Sequence, residues 1–398
     1  MTIIRRIRED AMKARTRTRT RMTAVIAAAS TVALLTGCVA ATDQQPEPTS
    51  SAAAEVAPEI AAALEGVIEA GAVAVTVDVR DGGDAVQAAE GSADVEGDRA
   101  AEADDPVRIA SISKTVLAVV VLQLVEEGKV SLDTTVEEVL PGLLSSAPGD
   151  VTVEQLLRHT SGLPDYIPAI APDAKAAIDG NETTYEPEEL VAIAQQQPWS
   201  AAPGSAFHYT NAGYTVLGLM AEDVSGEPVS DLMAARVLEP TGMDDTVYPE
   251  DASMPEDALR GYMTVEEDVV DMTEYEPSFW SFGASLVSTV GDVSAFNAAL
   301  QGGELLEDET LEQMRSLGAE GYGMGVLAAG DACGAQPAEL VYGQRGNGFG
   351  YNSLTLASAD GQRVVTVAYT GGSFDPASDP VFPAVNELLV AGLASTCP

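Results

Sequence analysis

Residues 111–127 read SISKTVLAVVVLQLVEE, and this stretch decides how the rest of the chain is organised. From Ile112 onward it is apolar on nearly every face, which marks a helix buried on all sides. Gly128 ends it. A helix of this kind needs a substantial fold around it. The chain has 398 residues, 46% of them hydrophobic, enough for two packed subdomains about a real core. The stretch opens on Ser111, and Lys114 follows three positions later on the same helix face, while Ser113 points elsewhere. A serine hydroxyl is a poor nucleophile until a base is aimed at it. A lysine at the mouth of a buried helix loses hydration, which lowers its pKa and makes it a usable base.

Working outward, residues 72–79 (AVAVTVDV) alternate, with Val73, Val75, Val77 and Val79 to one side, the pattern of a half-buried strand. Asp81-Gly82-Gly83-Asp84 turns the chain, and 85–91 returns as a hairpin partner. Downstream, Thr134-x-x-Glu137 and Thr152-x-x-Gln155 match helix capping boxes. Pro187 suits the first position of a helix over 187–196. A further helix runs from Asn211 to Val224, closed by Gly226. Short strands return near 322–327, 339–346, 352–358 and 363–370, with Asp360-Gly361 turning between the last two. A final helix covers 381–394. Strands at both ends with helices between them imply one sheet assembled from both ends of the chain. The fold class is therefore α/β in the α+β sense: an antiparallel sheet with flanking helices and an all-α insert over about 111–300.

A second polar element is Tyr209-Thr210-Asn211, in FHYTNAGYTVLG. It lies where a loop enters a helix, so Tyr209 and Asn211 can both project into a cleft. A phenol within reach of Ser111 can relay its proton to a leaving group. Asn211 can bind a substrate amide and hold Lys114. Other chemistries find little support. His159 and His208 are the two histidines of the chain, with no Cys/His cluster for zinc. No G-x-S-x-G elbow and no nucleotide fingerprint occurs. No metal and no cofactor is expected.

RIASISKT, LLRHTSGLPDY, PGSAFHYTNAGYTVLG and EPTGM, in this order, resemble signposts of the serine β-lactamase-like, penicillin-binding family. That family includes class C β-lactamases, soluble D-alanyl-D-alanine carboxypeptidases and related esterases. The resemblance covers about residues 57–397. It implies a β-lactamase/transpeptidase-like fold with Ser111 as the acylated nucleophile. It gives Lys114 and Tyr209 the general-base and general-acid duties, without ordering them, and gives Asn211 to substrate binding. It places His159 in a structural turn.

One family motif departs from the pattern. The strand lining the cleft should read Lys/His-Thr/Ser-Gly, but VYGQRGNGFGY puts Gln344-Arg345-Gly346 there. Gly346 still allows close backbone approach to a ligand. The amides of Ser111 and Asn347 can form an oxyanion hole. Arg345 either restores a positive charge for a substrate carboxylate or narrows the cleft. Trp280, before Ser281-Phe282-Gly283, is the expected cleft wall. Gln344, Arg345, Gly346, Asn347 and Trp280 thus join Asn211 as substrate-binding candidates.

The N-terminus reads as an address. Residues 1–37 hold eight Arg/Lys against two Asp/Glu, and residues 22–36 form an apolar run suited to a signal-peptide core. The run ends in Leu35-Thr36-Gly37-Cys38, which resembles a bacterial lipoprotein signal with Cys38 lipidated. A polar tether over 38–53 would then carry the hydrolase domain, 54–398, outside the cytoplasm on the bacterial membrane. Cys333 and Cys397 are the remaining cysteines, and in an oxidising compartment they are expected to pair. The formal charge of −42 argues against nucleic acid as a partner. A monomer is expected. The expected activity is acyl-enzyme hydrolysis of D-Ala-D-Ala peptides of peptidoglycan or β-lactams. Small esters are the alternative, and a catalytically impaired binding protein is a third reading motivated by Gln344-Arg345.

Overall fold

The computed structural model describes residues 56–97, 99–265, 268–318, 320–334, 339–374 and 379–398. The leader, Cys38 and the tether lie outside the described residues. A six-stranded antiparallel sheet has the order β2-β1-β10-β9-β8-β7. Its members are β1 (Ala74–Asp81), β2 (Asp84–Gly91), β7 (Leu327–Gly330), β8 (Leu340–Asn347), β9 (Tyr351–Ser358) and β10 (Arg363–Thr370). The first hairpin therefore forms one end of the sheet and joins the C-terminal strands side by side, with β1 beside β10. Helices α1 (Pro58–Glu69) and α5 (Phe382–Ser395) cover one face. There Ile60, Leu64, Val75, Val77, Val365, Leu388 and Leu393 form a core. The Cys333–Cys397 disulfide ties the end of α5 to the connection after β7.

The valines of β1 face α1 and α5, but the strand is not half-buried. Thr76 and Asp78, on its other face, are buried too. Helix α4 (Val290–Gln301) packs on that side, after α2 (Ser113–Glu126) and α3 (Asn211–Ser225) in the chain. Asp78 accepts hydrogen bonds from Arg80 Nε at 2.9 Å and Gln87 Nε2 at 2.8 Å. Ser294 Oγ bonds Thr366 Oγ1 at 2.7 Å across the same interface. Polar alternation here reports hydrogen-bonded packing under a helix rather than contact with water.

Helix α2 is buried on every face from Ser113 to Leu122. It sits at the centre of the larger core, touched by α3 and by the 277–283 segment. The expected all-α insert also carries strands: the hairpin β4 (Tyr262–Val265) with β5 (Asp268–Asp271), and β6 (Val287–Ser288), which pairs with β3 (Val107–Arg108) just ahead of the insert. The first capping box is Thr135 with Glu138 rather than Thr134 with Glu137, whereas Thr152 with Gln155 forms as expected. The strand expected at 322–327 begins at Leu327. Gly325, at φ +81°, turns the chain against α2, where a side chain would meet Ala118 Cβ at 2.5 Å. Among the described residues, no helix is long and apolar enough to cross a membrane.

Candidate active site

Ser111 does not lie in α2 itself. It occupies a 3-10 turn, Ala110–Ile112, immediately before the helix. Ala110 has φ +47°, a left-handed conformation that costs roughly 1 kcal/mol for a residue with a Cβ. Several hydrogen bonds hold the turn in this shape. Ser113 Oγ donates to Ala110 O at 2.7 Å and accepts from Leu286 N at 3.2 Å. Ser353 Oγ, on β9, donates to Ile109 O at 2.8 Å. The strained turn thus sits between the sheet and the helical half, and Ser111 lines the cleft between them.

Lys114 is in the first turn of α2 and is wholly buried. Its Nζ donates to Ser111 Oγ at 3.0 Å, Asn211 Oδ1 at 2.7 Å and Gly283 O at 3.3 Å. Loss of hydration lowers its pKa from 10.5 to about 7, opposed by the nearby Asp165 carboxylate. By linkage, holding the group at about 7 instead of 10.5 costs roughly 5 kcal/mol at neutral pH. Two or three fully buried α2 side chains, at about 2 kcal/mol each, offset that.

Tyr209 lies just ahead of α3, with its ring partly exposed. Its ring centroid is 5.2 Å from Lys114 Nζ. Burial of its hydroxyl pushes the pKa well above the usual phenol range, Tyr322 adds to this, and a hydrogen bond with Ser111 opposes it. The phenol is thus protonated at neutral pH, while Lys114 is close to half-neutral. Asn211 opens α3 and spends its two amide atoms on the protein. Its Oδ1 accepts from Lys114, and its Nδ2 donates to Asp165 Oδ2 at 2.8 Å.

Asp165 was not singled out by the sequence, although it falls within LLRHTSGLPDY. It lies 46 residues from Asn211, and no spacing rule joins them. His159, from the same segment, is fully buried at φ +55°. Its Nδ1 accepts from Thr210 N at 3.2 Å and its ring centroid lies 4.2 Å from that of Tyr209. Burial and the nearby Lys114 hold its pKa well below the usual imidazole range, so it is neutral. The 159–165 segment therefore forms a second layer under Tyr209 and Asn211. His208 is exposed.

Across the cleft, β7 pairs with β8 only as far as Gly343, leaving Gln344–Asn347 beyond its end. Gln344 Nε2 donates to Tyr322 Oη at 2.7 Å, and its Oε1 accepts from Arg345 N at 2.9 Å. Tyr322 is the second residue the sequence reading missed. Arg345 lines the cleft, yet its guanidinium carbon stacks 3.8 Å from the centroid of the Phe382 ring of α5. Strand alternation explains this, because Arg345 and Gln344 must face opposite sides of the sheet. Gly346 packs closely against the turn that carries Ser111, since a Cβ there would lie 2.1 Å from Ile109 O. The Asn347 side-chain amide bonds Asn352 Oδ1. Trp280 is buried, packs on Phe349 at 4.9 Å between ring centroids, and lines the cleft. The cleft measures about 710 Å³. Among the described residues, no cluster of three or more His, Cys, Asp or Glu side chains is disposed to hold a metal.

An antiparallel sheet meeting a helical half at a Ser–Lys–Tyr cleft defines the class, the β-lactamase/transpeptidase fold, in a family whose members are serine hydrolases. The chain belongs to the Beta-lactamase family, whose family model matches residues 59–387. It is 29% identical over 313 residues to the esterase EstB of Burkholderia gladioli, covering 75% of this chain and 78% of EstB. It is 27% identical to the putative penicillin-binding protein PbpX of Bacillus subtilis, covering 65% of this chain and 60% of PbpX. Among solved structures, a D-stereospecific amidohydrolase from Streptomyces sp. superposes with a TM-score of 0.73 at 26% identity, over 83% of this chain and 97% of that one. A D-amino acid amidase from Ochrobactrum anthropi SV3, complexed with L-phenylalanine amide, gives 0.73 at 25% identity over 85% and 98%.

Proposed function

We propose that this chain hydrolyses small amides, lactams or esters through an acyl-enzyme on Ser111. The observation that carries this reading is the buried Lys114 Nζ, 3.0 Å from Ser111 Oγ with a pKa near 7. Neutral Lys114 takes the Ser111 proton as Oγ bonds to the carbonyl carbon. The amides of Ser111 and Asn347 receive the oxyanion. Tyr209, held as a phenol, gives its proton to the leaving group as that bond breaks, and is reprotonated from Lys114. Water then cleaves the acyl-enzyme and releases the acid. D-Ala-D-Ala peptides, β-lactams and small esters all fit this sequence of steps. The ester reading gains weight from the likeness to EstB, and the amide reading from the likeness to the amidases.

The test is intact-mass spectrometry after exposure to a fluorescent penicillin, a D-Ala-D-Ala peptide and a p-nitrophenyl ester. At least one should leave an adduct that Ser111→Ala abolishes, with turnover falling by about 10⁴-fold or more. No adduct from any of them on folded protein would leave a binding protein as the better reading. We also propose that Cys38 is lipid-attached and holds the domain at the outer face of a bacterial membrane, on the strength of residues 22–38. Incorporation of an alkynyl fatty acid, lost in Cys38→Ala, is the expected result.

A further inference from the structure

We propose that the cleft selects esters or amides with no carboxylate on the leaving group and with a bulky apolar acyl group. The proposal rests on the acyl-enzyme reading above and narrows its substrate class. A carboxylate leaving water for a cleft needs a cation or several free N–H donors there. Arg345 is the one arginine among the described residues lining the cleft, and its guanidinium is stacked on Phe382. Tyr369 and Asp379 are its electrostatic neighbours. Gln344 stands on the cleft side of β8, but both its amide atoms are engaged, with Tyr322 and with the Arg345 backbone. The Asn347 amide turns to Asn352. Lys114 is already shared between Ser111, Asn211 and Gly283. Among the described residues lining the cleft, the Arg345 guanidinium is the one arginine cation, and it is packed against Phe382 with its Nη2 buried and without a hydrogen-bond partner.

The remaining wall is apolar. Trp280, Phe349 and Phe374 line it as a run of adjacent rings, with centroids 4.9 Å and 5.8 Å apart, and Ile167, Pro168 and Leu327 add to it. At long range, 62 acidic residues against 20 basic ones disfavour the approach of an anion. Both facts point to a neutral substrate held by contact area.

The experiment compares kcat/KM for two esters of 3-phenylpropanoic acid, one with glycolamide and one with glycolate as leaving group. They differ only in a terminal amide in place of a carboxylate. The glycolamide ester is expected to be favoured by at least about tenfold, the equivalent of one missing charge-assisted hydrogen bond. Equal or faster turnover of the glycolate ester overturns the proposal. So does a selective loss of glycolate turnover in Arg345→Leu, which would reveal a carboxylate partner. Acetyl glycolamide should be at least about tenfold slower than its phenylpropanoyl counterpart, and parity overturns the apolar half. If neither phenylpropanoyl ester leaves an adduct on Ser111 by mass, the acyl-enzyme reading itself has failed and this proposal falls with it.

Discussion

The two sides of the cleft are built on opposite principles. On the helical side, buried polar groups address one another, and Lys114, Asn211 and Asp165 form a chain of hydrogen bonds that ends on Ser111. On the strand side, Gln344, Arg345 and Asn347 address their own scaffold. The first side concentrates chemistry in a low-dielectric setting, where a single lysine can lose its proton near pH 7. The second supplies shape and little charge. Buried charge and cleft shape therefore sit on separate elements, so each side can be altered without the other.

The largest effect is expected on the helical side. Lys114→Met should lower kcat/KM by about 10³-fold. In the unaltered enzyme, kcat/KM should rise with pH through about 7 as Lys114 becomes neutral, and that limb should vanish in the variant. The sign for stability is the same. The folded pKa lies below the unfolded value, so the penalty from this group is full below about 7 and gone above 10.5. Tyr209→Phe should cost about 10²-fold and chiefly slow substrates with poor leaving groups, read by comparing an alkyl with a p-nitrophenyl ester.

Gly346→Ala tests the strand side. Its Cβ would collide with Ile109 O in front of the strained Ala110 turn. A loss of about 2 kcal/mol of stability, measured by denaturant midpoint, is expected. Asp165→Asn should be mildest, with less than about tenfold change in kcat/KM. Because the Asp165 carboxylate raises the Lys114 pKa, its neutralisation should move the acid limb to lower pH. A shift upward would mean that Asp165 does not carry charge beside Lys114.

How far each side could be read in advance follows from the same contrast. Ser111 and Lys114 are three residues apart where a 3-10 turn runs directly into α2, so local helical geometry brings them together. Tyr209 and Asn211 were legible because they open a recognisable helix. Asp165 and Tyr322 were not, since each acts through a side chain from a distant segment. The direction of Arg345 depended on which face of β8 met the cleft, and a one-residue change of register inverts that. The capping box failed by one position for a related reason. Thr134 and Thr135 both have a glutamate three residues on, and only folding decides between them.

The sheet's own wiring has a consequence for how the polypeptide becomes a protein. Strand β1 is an interior strand, yet Thr76 meets Ala368 of β10 across 292 residues of chain. Closing a loop of that length costs on the order of 5 kcal/mol of chain entropy, and it cannot begin until β10 has been synthesised. Until then the β1–β2 hairpin has no partner, and one side of the helical half stays uncovered. Cys397 arrives later still, so its bond to Cys333 closes around a sheet that must already be in register. Premature termination between β7 and β10 would therefore remove strands from the middle of the sheet and leave its two edges unjoined, an aggregation-prone fragment rather than a shortened protein.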